Sequence, residues 1–173
     1  MSPGRPRSIV YALITAVLAP GILSHEYAHL LACRVWGVEV VSEPALNPFE
    51  DSAAFEHESV DTFGPEFTIA TAPLALNTPL GVLAFTLAGA SSGRLLPLAF
   101  LWLGVCFALT ALPSPTDTGT LIRRAGTLSP WIRPAGYLLA VPVRAVTYTA
   151  VVTGVFGYLW IFVLYGASSV LSP

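Results

Sequence analysis

The sequence predicts an all-α membrane protein: a polytopic bundle of about four transmembrane helices, with a small hairpin-bearing loop after the first helix. Three observations predict it. Hydrophobic residues fill 54% of the 173 positions, and the mean hydropathy is +0.71. Only 10% of residues are charged, against roughly 25% in ordinary globular chains. The apolar residues lie in long runs, and a bilayer core about 30 Å thick takes roughly 20 of them per helix. The length predicts one domain over 1–173, with a core at 9–124.

The first run, 9–35, follows Arg5 and Arg7, as a signal peptide would. It outlasts an ordinary apolar region of that kind and ends at no small-residue cleavage site, so it reads as an uncleaved first span. The second span is expected at 67–90 and the third at 95–112, after a Ser-Ser-Gly turn. A C-terminal span is expected at 145–166. Residues 135–143 are apolar too, but Pro142 and Arg144 separate them from the last run, as in an interfacial or re-entrant piece. Trp131, Tyr137, Tyr158, Trp160 and Tyr165 are candidate anchors at the membrane–water interface.

The long polar stretch is the loop at 39–66. It carries Glu39, Glu43, Glu50, Asp51, Glu56, Glu58, Asp61 and Glu66, eight of the ten acids. Val38, Val40 and Val41 alternate with Glu39 and Ser42 in the pattern of a short strand. Phe67, Ile69 and Thr71 suit a second strand just before the second span. Pro44, Pro48 and Pro65 punctuate the segment.

Charge and cysteine usage exclude other classes. Eight Arg and no Lys against ten acids give a net charge of −2, so no basic field attracts nucleic acid. Cys33 and Cys106 sit in apolar runs and make no disulfide framework; both read as small buried hydrophobes. A lipid bilayer is the expected surrounding.

The two acids outside the loop are Glu26 and Asp117. Ionisable groups at membrane depth are costly and mark functional sites. Glu26 lies in His25-Glu26-Tyr27-Ala28-His29, a full His-Glu-x-x-His motif; with three His and any of ten acids at its second position, chance predicts only about 0.003 copies. His25 and His29 are four residues apart and share one helical face, so two imidazoles can hold one zinc ion. Glu26 then stands where it takes a proton from a zinc-activated water. The bland alternative is two polar histidines paired with neighbours inside a helix bundle.

A hydrolytic zinc site takes three protein ligands and keeps one open position. Asp117 is the leading third ligand, because the first span carries the motif near its far end and the third span returns to that same face before Pro113. His57 is the rival ligand, and Cys33, one turn beyond His29, is a further thiol within reach. Asp117 also suits a plain turn residue. Pro20 and Gly21, about one turn before the motif, either kink the helix to position His25 or are simply tolerated.

These residues resemble the site-two protease family of membrane-embedded zinc metallopeptidases. The His25–His29 motif resembles that family's first motif. Ala72-Pro73-Leu74-Ala75-Leu76-Asn77 resembles the Gly-Pro-x-x-Asn stretch of its middle core helix, with Ala72 in place of Gly. Pro113-Ser114-Pro115-Thr116-Asp117 resembles the turn that supplies its aspartate ligand, although Thr116 and Thr118 flank Asp117 where Leu and Gly are usual. A small subgroup with Pro-Ser-x-x-Asp is the nearest pattern.

The resemblance covers residues 9–124. It implies three core helices, zinc on His25, His29 and Asp117, Glu26 as catalytic base, and Asn77 holding substrate backbone or steadying the site. It also implies cleavage of membrane-embedded or membrane-adjacent peptides, with the loop at 39–66 receiving an extended substrate as an added strand. Read on its own, Asn77 also suits a helix cap. The arginines lean slightly toward the motif face being cytoplasmic: Arg34, Arg123, Arg124 and Arg133 there, against Arg5, Arg7 and Arg94 opposite. A multi-pass protein of the cell membrane with its site near the cytoplasmic face is therefore expected. Two other functional classes use the same residues: a catalytically silent metal-binding or regulatory scaffold, and a metal transporter. Transporters are often built from inverted repeats, and no internal repeat is visible.

Overall fold

The structure, a computed structural model, describes residues 9–44 and 55–171. Arg5, Arg7, Pro48, Glu50 and Asp51 lie outside the described residues.

Helix α1, Ile9–Trp36, runs through Pro20 without interruption. It ends where Gly37 takes φ 65° and the Val38 N–H reaches back to the Cys33 carbonyl at 2.9 Å. A residue with no Cβ adopts that left-handed conformation without steric cost, and the bond caps carbonyls the helix leaves open. Strand β1, Val40–Ser42, then pairs antiparallel with β2, Glu56–His57, setting Val40 opposite His57.

Helix α2, Phe63–Ala90, begins four residues before the expected second span. Phe67, Ile69 and Thr71 therefore lie in a helix, not in the strand expected of them. Their setting explains the difference. Phe67 and Ala70 pack toward Leu121 and Ala125, while Ile69 packs against Ala32 and Cys33. The segment is buried on two sides of a cylinder, which alternation along the sequence imitates. Pro65 is accommodated because a helix's first turn leaves its N–H groups unbonded.

Helix α3, Leu95–Leu109, has 15 residues, a rise of about 22 Å. It falls short of a bilayer core of about 30 Å. Proline at 113 has no N–H for the Leu109 carbonyl, and its ring disfavours helix in the preceding residue. Among the described residues, three helices are long and apolar enough to cross a membrane: α1, α2 and α6, Ala150–Leu171. The four expected spans thus become three long helices and one short apolar one.

Two shorter helices complete the chain, α4, Leu121–Gly126, and α5, Arg133–Val146. Pro142 and Arg144 lie inside α5, and the separation expected between the run at 135–143 and the last span falls just after them, at 147–149. Helix α2 is central and packs on α1, α3, α4 and α6. At Gly21 α1 meets α3 so closely that a Cβ would lie 2.4 Å from the Cys106 carbonyl oxygen. Large apolar side chains face outward along the long helices, including Ile9, Val151 and Val170, as suits surfaces covered by lipid.

Candidate metal centre

His25 and His29 stand one turn apart on α1, and the turn after α3 brings Asp117 to them. The two Nε2 atoms are 3.2 Å apart. Asp117 Oδ2 lies 3.6 Å from His25 Nε2 and 3.5 Å from His29 Nε2. Among the described residues these three form the cluster of donor side chains able to hold a metal ion.

Each imidazole is fixed from behind. His25 Nδ1–H donates to the Thr110 carbonyl at 2.7 Å, and His29 Nδ1–H to the Ile69 carbonyl at 2.8 Å. The Ile69 carbonyl is freed by a proline and the Thr110 carbonyl by the end of α3. Within α2 the Ile69 carbonyl would ordinarily bond the N–H four residues on, but residue 73 is Pro73 and has none. The Thr110 carbonyl lies at the end of α3, which stops ahead of Pro113 and Pro115. Its partner four residues on, the Ser114 N–H, instead donates to Asp117 Oδ2 at 2.6 Å.

With each Nδ1 carrying the ring proton, each Nε2 presents a lone pair. Two such lone pairs and a carboxylate oxygen converge within 3.6 Å, an arrangement that could hold a metal ion. The spacing fits zinc: two ligand atoms about 2.1 Å from a tetrahedral metal stand roughly 3.4 Å apart. Burial opposes ionisation of Asp117, while the Ser114 N–H donated to Oδ2 favours the carboxylate.

A cavity of about 390 Å³ opens onto this cluster, lined by Glu26, His29, Phe55, His57, Glu66 and Asp117 among others. Glu26 Oε2 accepts the Phe55 N–H at 3.1 Å. The Phe55 ring, just before β2, lies parallel to the His29 ring, with centroids 6.0 Å apart. His57, the rival ligand, lines the cavity but turns Nδ1 to the Glu58 carbonyl, outside the cluster. Cys33 and Cys106 are free and buried, and neither belongs to the cluster.

Asn77 has no exposed surface. Its Nδ2 donates to the Thr110 carbonyl at 3.1 Å, to Thr110 Oγ1 at 3.0 Å and to the Gly21 carbonyl at 3.4 Å. It thereby ties α2 to α1 and to the same carbonyl that orients His25. Its Oδ1 is buried without a hydrogen-bond partner.

Sequence reasoning missed the two carbonyls, the Phe55 N–H and Glu66, whose carboxylate accepts the Thr120 hydroxyl inside the cavity. Pro73, four residues after Ile69, was the available signal for one carbonyl. Comparison with family models, with curated proteins and with solved structures gives no match.

Proposed function

We propose that the protein is an intramembrane zinc metalloprotease that hydrolyses peptide bonds of membrane-embedded or membrane-adjacent substrates. The observation that carries the reading is the convergence of two tautomer-fixed Nε2 lone pairs and the Asp117 carboxylate beside an acid on a cavity. The resemblance of three sequence motifs to site-two proteases supports it, as do the three helices of membrane-crossing length. The arginine distribution favours a cytoplasmic-facing site.

Zinc in a three-ligand site supplies Lewis acidity, acidifying a water and polarising a scissile carbonyl. His25, His29 and Asp117 would hold it, and the Thr110 and Ile69 carbonyls keep both rings presenting Nε2. Glu26 takes the proton from the attacking water and passes it to the leaving amine. The Phe55 N–H fixes one oxygen of that carboxylate. Asn77 steadies the Thr110 carbonyl behind His25. A helical substrate must unwind locally, because its carbonyls are otherwise engaged within the helix.

The test uses the purified full chain reconstituted with zinc and a panel of transmembrane peptides, with products read by mass spectrometry. Glu26→Gln is expected to retain zinc and to slow cleavage by roughly 10²–10⁴-fold. Cleavage by Glu26→Gln at the wild-type rate would contradict the assignment.

A further inference from the structure

The Asp117 ligand sits in an irregular turn with no helix or strand ladder to hold it. Inside the turn Ser114 grips it twice: its N–H donates to Asp117 Oδ2 at 2.6 Å, and its Oγ accepts the Asp117 N–H at 3.2 Å. Those bonds set the side chain relative to the turn. They do not set the turn relative to α1, which carries the two histidines.

Two holds come from outside the turn: Glu66 of α2 accepts the Thr120 hydroxyl, and the end of α5 supplies the second. Arg144, in the last turn of α5, donates from Nη1 to the Pro115 carbonyl at 3.0 Å and to Thr118 Oγ1 at 3.2 Å. The same nitrogen lies 3.3 Å from its own helix's Thr147 carbonyl. Thr118 Oγ1 also meets Thr147 Oγ1 at 2.7 Å, and both threonines have no exposed surface. The turn is thus held on both sides of Asp117, at 115 and at 118, by the C-terminal end of α5. A guanidinium presents several donors in a planar fork, so one side chain can serve several oxygens at fixed positions. The Tyr148 ring, 5.6 Å from the Arg144 guanidinium carbon, bounds its other side.

We infer that Arg144, with Thr147, is a positioning residue for the third metal ligand, so that α5 is part of the metal centre although it touches no metal. The inference rests on reading His25, His29 and Asp117 as that centre. It also places a needed element beyond residues 9–124, where the motifs end.

The test is cobalt(II) titration of the detergent-purified full chain, following the visible d–d bands, for wild type, Arg144→Met, Arg144→Lys, Thr147→Val and Asp117→Ala. Loss of an outer hydrogen bond to a ligand typically costs 10–100-fold in metal affinity. Arg144→Met is expected to lower cobalt affinity by about that factor and to change the band pattern. Arg144→Lys, which keeps a donor cation, is expected to recover part of the loss. Thr147→Val leaves Arg144 in place and is expected to weaken binding by about tenfold. It decides the matter if Arg144→Met fails to fold. Wild type that binds cobalt, with Arg144→Met and Thr147→Val giving the same affinity and bands, would overturn the inference and leave the metal centre standing. Wild type that binds no cobalt would overturn the centre itself, and this inference with it.

Discussion

His29 Nδ1–H donates to the Ile69 carbonyl at 2.8 Å, and that carbonyl is open to it because the residue four positions on is Pro73. A proline inside a helix is a defect in the hydrogen-bond ladder. Here the unbonded carbonyl becomes the partner that selects the tautomer of a candidate ligand.

Replacing Pro73 by alanine restores an N–H that competes for the Ile69 carbonyl. Pro73→Ala is therefore expected to weaken metal binding by about tenfold while leaving the helix intact or more stable, since alanine is the best helix former. Competition with a chromogenic zinc chelator, run beside a thermal melt in detergent, separates the two effects. Unchanged zinc affinity would show that His29 does not depend on that carbonyl.

Gly21 lies where α1 meets α3, and an added Cβ would stand 2.5 Å from Thr110 Oγ1 and 2.4 Å from the Cys106 carbonyl oxygen. Gly21→Val is expected to destabilise the bundle by about 1–3 kcal/mol through overpacking. Because the displaced residue is Thr110, whose carbonyl orients His25, metal affinity falls as well. A melt and a zinc titration on the same preparation check both. A variant as stable as wild type contradicts the close approach.

Asn77 separates two roles that sequence leaves joined. Buried behind Thr110, it is placed to steady the site. Asn77→Ala is expected to lower stability by about 1 kcal/mol and to reduce kcat, with KM for a cleaved peptide unchanged. A rise in KM without loss of stability would assign Asn77 to substrate contact instead.

Parts of this centre are legible in the sequence for clear reasons. His25 and His29 share a face by the 3.6-residue period, and Asp117 stands out because an acid beside apolar spans is costly. The turn's arrival beside α1 follows from helices reversing direction, even though α3 proves too short to count as a span. Val40 to Ser42 is a strand where alternation predicts one. Phe67 to Thr71 is not, because three alternating apolar residues also suit a helix buried on two sides. The extent of α5 was hidden by Pro142, which a mostly exposed helix accommodates. Arg144, read in the sequence only as a break before the last span, reaches a carbonyl and a hydroxyl of a distant turn, Pro115 lying 29 residues away. No local pattern encodes such a contact.

The central claim is that His25, His29 and Asp117 together hold one divalent metal ion. It is tested most directly by the metal content of the detergent-purified protein after zinc incubation, for wild type, His29→Ala, Asp117→Ala and His57→Ala. The account predicts one zinc per chain in wild type and in His57→Ala, and its loss in His29→Ala and Asp117→Ala. No zinc in wild type, or zinc kept by Asp117→Ala and lost by His57→Ala, would contradict it.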